Sequence, residues 1–198
     1  MQRLCVCLLF TAVIGLFVNA KAENPVVIMD TSKGVIEIEL DQQAAPITVE
    51  NFLKYVDDGF YEGTIYHRVI KAFMIQGGGF TKNLVQKQTR DPIKNEGTNG
   101  LKNEKYTIAM ARTPAPHSAT AQFFINTKNN AFLNARPGEA GYAVFGKVIS
   151  GKDVVDAIDV TPTRTIGQFQ NFPVETVLIK SVKRKAPADN ANGTEAAE

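Results

Sequence analysis

The sequence contains no tryptophan and only two cysteines, Cys5 and Cys7, which both lie near its start. If the first 22 residues are removed after synthesis, no thiol remains in the chain. That would exclude a disulfide framework, a thiol nucleophile and a zinc–cysteine site together. A protein without thiols also suits an oxidising compartment, where a free thiol is easily modified.

Histidine is scarce as well, since the chain has only His67 and His117. Neither lies at metal-ligand spacing from cysteine or carboxylate residues, so we expect no metal and no cofactor. The sequence also lacks the G-x-S-x-G elbow of serine hydrolases. The three glycines at 77–79 lack the G-K-[ST] ending of a phosphate-binding loop, so their role is expected to be structural.

Residues 1–22 have the features of a secretory signal peptide. Arg3 supplies a positive charge, an apolar run covers 4–18, and small residues offer cleavage sites ending at Ala20 and Ala22. The run is shorter than the roughly 20 apolar residues that a membrane-spanning helix needs. We therefore predict a cleaved signal peptide, with an uncleaved anchor as the alternative.

The formal charge of +2 comes from this first segment. Removing it takes away Arg3 and Lys21 and no acidic residue, which leaves 20 basic and 20 acidic side chains. No basic field then remains for binding nucleic acid or an anionic membrane. We expect neither partner for the mature chain, which we also expect to be a monomer.

Short apolar segments bounded by turn residues predict a mainly β protein. The glycines at 77–79 are expected to end the fourth segment, and polar surface loops are expected at 80–106 and 112–120. The polar residues 183–198 are predicted to be a disordered tail, which leaves a domain at 23–182. The predicted strands cover 26–29, 35–40, 66–70, 73–76, 107–111, 122–126, 142–148 and 174–182.

Two helices are predicted between these strands. The first follows Pro46, with Thr48 as its N-cap, Ile47 and Phe52 as a hydrophobic staple, and Gly59 at its end. Ser150 is predicted to cap the second. The apolar positions expected to face the core are Val49, Phe52, Leu53 and Val56 in the first helix, and Val154, Val155 and Ile158 in the second.

The stretch 66–79 places polar groups beside large apolar ones. Its two β-segments carry Arg68 and Gln76 close to Phe73 and Met74. A mostly apolar pocket with a few polar groups is typical of a ligand site. The alternative is an ordinary buried hairpin in which Arg68 forms a salt bridge.

This stretch, Tyr-His-Arg-Val-Ile-Lys-Ala-Phe-Met-Ile-Gln-Gly-Gly-Gly, closely resembles the signature of cyclophilin-type peptidyl-prolyl isomerases. The resemblance continues through 108–112, 121–126, 132–133 and 142–148, and it covers about 26–182. It implies a closed eight-stranded antiparallel β-barrel capped by two α-helices. It also implies cis/trans isomerisation of X–Pro bonds in proline-containing peptides without a cofactor.

The resemblance assigns roles to individual residues. Arg68 matches the catalytic arginine, with Phe73 and Gln76 beside it in the catalytic set. Gln76 and the backbone of Arg112 match groups that hold the substrate main chain, and His67 matches the edge of the groove. The matched substrate-binding positions are His67, Met74, Ala111, Arg112, Gln122, Phe124, Phe132, Leu133 and Tyr142.

Two positions depart from the cyclosporin-sensitive members. Phe132 stands where those have tryptophan, and Tyr142 where they have histidine. Both changes resemble the bacterial periplasmic branch, and they predict weak cyclosporin binding. The expected function is a periplasmic isomerase that assists the folding of unfolded exported proteins.

Two other functions compete with this interpretation. A holdase could grip proline-containing segments without turnover, but it would not need Arg68. An isomerase of the eukaryotic endoplasmic reticulum would be expected to carry a retention signal, whereas the chain ends Glu-Ala-Ala-Glu. Arg68 therefore favours the enzyme, and the ending favours the periplasm.

Overall fold

The structure, a computed structural model, describes residues 23–186. Eight antiparallel strands form a closed barrel, which confirms the predicted barrel. The barrel strands are β1 (Val26–Thr31), β2 (Gly34–Leu40), β3 (Thr64–Ile70), β4 (Met74–Thr81), β5 (Thr107–Met110), β6 (Phe123–Asn126), β7 (Val144–Ser150) and β10 (Val177–Arg184). Their order around the barrel is β1-β10-β3-β4-β6-β5-β7-β2.

Alternation along the strands builds the core inside the barrel. In β2, Ile36, Ile38 and Leu40 have no exposed surface, as predicted, while the two glutamates between them are partly exposed. The glycines at 77–79 do not end β4, which continues to Thr81. A Cβ at each of these three glycines would crowd a neighbouring strand or ring, so glycine here permits close packing within the strand.

Helix α1 (Pro46–Asp57) begins earlier than the Thr48 cap predicted, because Pro46 occupies its first turn and Ala45 is the N-cap. Glu96, from the long loop after β4, accepts hydrogen bonds from the backbone N–H groups of Ile47 and Thr48, at 3.1 and 2.8 Å. The helix is therefore capped from a distant loop rather than by its own side chain. Ile47 is exposed and lies inside the helix, so the predicted staple is wrong.

The predicted core face of α1 is confirmed, since Val49, Phe52, Leu53 and Val56 are buried. Phe52 brings its ring centroid within 5.1–5.9 Å of those of Tyr61, Phe123 and Phe145. The cluster that Phe52 forms with these three rings anchors α1 to the barrel interior. Gly59 follows the helix, and its N–H donates to the carbonyl of Val56.

Helix α2 (Lys152–Asp159) is capped by Gly151 rather than by Ser150, which is the last residue of β7. Gly151 has a φ of +78°, and a Cβ there would overlap the carbonyl of Val35. Only glycine combines that backbone conformation with such a close approach. Val155 and Ile158 are fully buried in the core as predicted.

A two-stranded sheet of β8 (Thr163–Ile166) and β9 (Phe169–Pro173) lies outside the barrel and contacts β3. The sequence did not predict it. The last barrel strand runs to Arg184, so the predicted tail boundary after residue 182 is two residues too early. The remaining tail beyond 186 and the predicted signal peptide lie outside the described residues.

Neither of the helices within residues 23–186 combines the length and the apolar character needed to cross a membrane.

Candidate active site

A β-bulge aims Arg68 at the outer surface of the barrel. Tyr66 pairs with Gly77 and Arg68 with Gln76, so β3 advances two residues where β4 advances one. Tyr66 and Val69 both belong to the interior cluster, and Arg68 lies between them on the outer face. Bulges commonly re-aim a side chain beside a functional site, and this one takes Arg68 out of the core.

Arg68 faces a cavity of about 110 Å³ on the outside of the barrel. The floor is a second apolar cluster, in which Met74, Phe124 and Val144 are buried. Among residues 23–186, no acidic side chain lines the cavity, which combines an apolar socket with a few polar groups. Its lining residues are Arg68, Phe73, Met74, Gln76, Ala111, Arg112, Phe124, Leu133 and Tyr142. These nine were all predicted site residues.

Two glutamines connect to Arg68. The guanidinium donates from Nη1 to Oε1 of Gln76 at 3.3 Å, and Nε2 of Gln76 donates to Oε1 of Gln122 at 3.0 Å. Arg68 forms no ion pair with a carboxylate among residues 23–186, which removes the alternative of a structural salt bridge. Its positive charge is therefore directed at the cavity without an internal counter-ion.

The opposite side of the cavity is formed by Arg112 and Tyr142. The guanidinium carbon of Arg112 lies 4.5 Å from the centroid of the Tyr142 ring. The Tyr142 ring in turn meets Phe124 edge-on, with centroids 5.6 Å apart. Within the described part of the chain, the backbone N–H and carbonyl of Arg112 make no hydrogen bond. Both groups remain available to an incoming main chain.

Phe132 does not line the cavity but supports its wall. Its ring stacks on Phe73 with centroids 5.6 Å apart and an interplanar angle of 26°. Phe132 is 59% exposed, which makes it one of the most exposed large apolar side chains described. It lies in a short 3-10 helix, Ala131–Leu133, whose last residue reaches the cavity.

His67 lies away from the cavity, contrary to its predicted place at the groove edge. The β-bulge turns the side chains of His67 and Arg68 in different directions. The His67 ring packs against Phe80 and Phe169, with centroids 4.8 and 6.3 Å away. Burial, reinforced by the nearby Arg68 charge, lowers the pKa of His67 to about 4. The imidazole is therefore neutral at physiological pH, and its buried Nδ1 has no hydrogen-bond partner among residues 23–186.

A buried asparagine network holds the cavity wall from behind, and sequence reasoning missed it. Asn130 donates from Nδ2 to the carbonyl of Phe73 and to Oδ1 of Asn126, at 2.8 and 2.7 Å. Asn126 donates to Oδ1 of Asn103 at 3.2 Å, and Asn103 donates to Oδ1 of Asn134 at 3.1 Å. Asn103 lies more than 20 residues from the buried Asn126 and Asn130 that it joins, so no local pattern marks the network and only the fold reveals it.

The arrangement can bind a small apolar ring and place a charged hydrogen-bond donor beside it. No group of three or more His, Cys, Asp or Glu residues that could hold a metal ion occurs in residues 23–186. The polar groups at the cavity are guanidinium, amide and phenol groups, which donate or orient rather than attack. The chemistry open to this site is therefore non-covalent stabilisation of a polar group next to an apolar ring.

Comparisons with known proteins agree with this geometry. The family model for cyclophilin type peptidyl-prolyl cis-trans isomerases matches residues 26–184. A peptidyl-prolyl cis-trans isomerase of Acinetobacter baylyi is 57% identical over 173 residues, covering 87% of this chain and 92% of that protein. Peptidyl-prolyl cis-trans isomerase B of Escherichia coli is 55% identical over 156 residues, covering 77% of this chain and 94% of its own.

Solved structures show the same fold. The crystal structure of a Cryptosporidium parvum cyclophilin type isomerase, determined in the presence of the dipeptide Ala-Pro, matches with a TM-score of 0.68 and 26% identity. The match covers 82% of this chain and 99% of that one. The chain therefore belongs to the cyclophilin-type peptidyl-prolyl cis-trans isomerase family and is a peptidyl-prolyl cis-trans isomerase.

Proposed function

We propose that this isomerase acts on X–Pro bonds of exported proteins in the periplasm, with Arg68 as its catalytic residue. The observation that carries the proposal is the Arg68 guanidinium, which faces a largely apolar cavity that no acidic group of the described residues lines. A cation without a carboxylate partner among residues 23–186, beside an apolar socket, fits a substrate that presents an apolar ring bonded to a nitrogen that becomes basic as its bond rotates. A prolyl peptide bond has both features.

Arg68 acts on the transition state of bond rotation. Resonance gives a peptide bond a rotation barrier of about 18–20 kcal/mol. In the twisted transition state this resonance is lost, and the prolyl nitrogen becomes pyramidal and basic. A hydrogen bond from Arg68 to that nitrogen is then stronger than in the planar ground state, which is the condition for catalysis. The apolar walls strengthen the contact by excluding water.

The apolar socket holds the proline ring while the preceding carbonyl rotates. Phe73, Met74, Phe124 and Leu133 supply its surface. The solved Cryptosporidium parvum relative was crystallised in the presence of Ala-Pro, which supports a proline-containing peptide as the ligand here. Gln76 and the free backbone groups of Arg112 are placed to hold the substrate main chain.

Turnover distinguishes this function from holding alone. A holdase needs the socket but has no use for a donor aimed at the prolyl nitrogen. A protease-coupled isomerisation assay on a short X–Pro peptide tests the choice, and we expect the chain to accelerate the slow phase in proportion to its concentration. Binding of the peptide without such acceleration would favour the holdase.

Export is the second part of the proposal and rests on residues 1–22. We expect cleavage after Ala20 or Ala22, which leaves a chain without thiols. Intact-mass measurement on protein from the extracytoplasmic fraction tests this. Full-length mass in the membrane pellet would instead support an uncleaved anchor.

The role in folding follows from the slowness of the uncatalysed reaction. X–Pro isomerisation takes tens of seconds or longer at 25 °C, which can limit folding. We expect the mature chain, as a monomer, to shorten the proline-limited refolding phase of an exported protein in vitro. Light scattering during the same experiment reports the oligomeric state, and unchanged refolding would contradict the role.

A further inference from the structure

We propose that the side chain of Arg112 makes this enzyme favour X–Pro bonds in which the residue before proline is Asp or Glu. The inference rests on the proposed function and extends it to the substrate class. It concerns the guanidinium of Arg112, whereas the main-chain contacts proposed above concern its backbone.

The first observation is an imbalance of charge at the cavity. The mature chain has equal numbers of acidic and basic side chains, yet the cavity has two arginines and no acid. Elsewhere in residues 23–186, the guanidiniums of Arg90, Arg136 and Arg184 pair with carboxylates. The arginines without such a pair in that range are Arg68, Arg112 and Arg164. Two of these three line the cavity.

The second observation is the way in which the Arg112 guanidinium is held. Its Nε donates to the carbonyl of Gly141 at 3.1 Å, and its Nη1 donates to the carbonyls of Thr113 and Pro114 at 2.9 and 3.3 Å. The ring of Tyr142 supports its face. Nη2 has no partner among the described residues. Neutral acceptors thus fix the group in place, and among residues 23–186 its Nη2 is left without a partner and its charge without a carboxylate.

The Gly141 acceptor is itself held in position. Gly141 has a φ of +62°, and a Cβ there would overlap the backbone of Ala135. Its carbonyl also accepts a hydrogen bond from Nδ2 of Asn95 at 3.1 Å. A guanidinium that is already ordered loses little further freedom when it binds a carboxylate, which makes Arg112 a preorganised anion receptor.

The third step places the substrate. With the proline ring in the socket and its nitrogen at Arg68, we expect the main chain before proline to run along the backbone of Arg112, which makes no hydrogen bond among residues 23–186. The side chain of the preceding residue would then lie beside Arg112 and Tyr142. Arg68 is committed to Gln76 and the prolyl nitrogen, so Nη2 of Arg112 is the cationic donor that this side chain can reach.

The test compares peptides that differ only in the residue before proline. We expect kcat/KM for Glu-Pro to exceed that for Gln-Pro by about two- to fivefold, the size typical of a partly exposed ion pair. Lys-Pro should fall below Gln-Pro. Both differences should shrink at about 1 M salt, where the screening length is about 3 Å.

Variants assign the effect to one side chain. Arg112→Gln should bring the Glu-Pro to Gln-Pro ratio close to one, and Arg112→Glu should reverse it in favour of Lys-Pro. Arg164→Gln removes the same charge from β8, outside the cavity, and should leave the ratio as in the wild type. These are ratios within each variant, so a general loss of activity does not alter them.

The outcomes separate this inference from the proposed function. No turnover of the Gln-Pro peptide would count against the proposed function. Turnover of Gln-Pro with equal rates for Glu-Pro would overturn the role of Arg112 alone. A Glu-Pro preference that persists in Arg112→Glu would also overturn it.

Discussion

The two apolar clusters of this protein are built from opposite faces of the same strands. On β4, Ile75 points into the barrel and Met74 points outward; on β6, Phe123 points in and Phe124 out. The inner cluster is fully covered by barrel closure and α1. The outer cluster is only partly covered, so that Phe73 and other side chains around it keep exposed surface.

The difference shows how one alternating pattern serves two purposes. Inward residues fill a closed volume, and every lost methylene there leaves a void. Outward residues would normally be polar, and an apolar cluster left open on a surface marks a ligand site. We therefore expect substitutions in the inner cluster to lower stability and substitutions around the outer one to lower activity.

The largest effect is expected for Phe123→Ala. The Phe123 ring is fully buried, with centroids of Tyr61, Phe52 and Tyr66 at 5.6, 5.9 and 6.0 Å. Truncation should lower the free energy of unfolding by about 3–5 kcal/mol, as measured by urea denaturation. The matched variant Phe73→Ala should cost about 1 kcal/mol or less, because its ring is partly exposed, but should lower kcat/KM. Equal destabilisation by Phe123→Ala and Phe73→Ala would contradict the expected difference between the inner and outer clusters.

Arg68→Ala should lower activity and leave stability nearly unchanged, which is the opposite of Phe123→Ala. The two losses should be similar when both are expressed as free energies. Losing a charged donor to the transition state should lower kcat/KM by about a hundred- to a thousandfold. The free energy of unfolding should change little, because Arg68 has one long hydrogen bond to Gln76 and no ion pair in the described range. Arg68→Lys should also lose most activity, since an ammonium lacks the planar fork. A folded Ala variant with near wild-type turnover would falsify the mechanism.

The adjacent residues His67 and Arg68 extend the comparison between buried and cavity-lining residues. Arg68 faces the cavity, whereas His67 is buried away from it. The folded-state pKa of His67, about 4, lies below its ordinary value of 6.5. Between these values the unfolded chain binds more protons, so stability should be complete above about pH 6.5 and fall as the pH drops toward 4. The loss attributable to His67 should be at most about 3 kcal/mol.

Urea denaturation at a series of pH values measures this loss. His67→Phe keeps an aromatic ring against Phe80 and Phe169 but cannot titrate, so its stability should depend less on pH in this window. An unchanged slope in His67→Phe would contradict the assignment.

Local patterns were enough to predict much of the fold, whereas the full set of cavity residues came from the resemblance. The barrel strands and the buried face of α1 follow from spacing, and the nine cavity-lining residues are all among those that the resemblance assigned. The motif also supplied identities that spacing could not. A pattern of apolar residues explains why Met74 and Phe124 share a surface, but not why an arginine is beside them.

What the sequence could not predict depends on contacts between distant segments. The bulge that aims Arg68 and buries His67 is a property of the register between β3 and β4. Glu96 caps α1 from 48 residues beyond Thr48 in the sequence. β8 is mostly exposed, and the two apolar rings of β9, Phe169 and Phe172, are three positions apart, so neither strand shows the alternation that predicts a strand.

The smallest effect is expected at the margin of the outer cluster, where Phe132 covers Phe73. In cyclosporin-sensitive members a tryptophan matches this position, and the resemblance implies that its indole N–H contacts the drug. Phe132 keeps an apolar surface but has no donor, so a polar group of the drug would be buried without a partner. That should weaken binding by roughly 1–3 kcal/mol, or about ten- to a hundredfold.

Phe132→Trp should therefore recover part of the cyclosporin affinity while peptide turnover changes little. Full recovery is not expected, because Tyr142 and the segment 134–141 also shape this side of the cavity. The measurement is inhibition of the same peptide assay by cyclosporin, with wild type and variant titrated in parallel. Phe132→Leu is the control, since it offers no donor and should bind no tighter than the wild type. If Phe132→Trp gains nothing over Phe132→Leu, the missing donor does not limit cyclosporin affinity, and the apolar wall rather than the N–H governs this edge of the site.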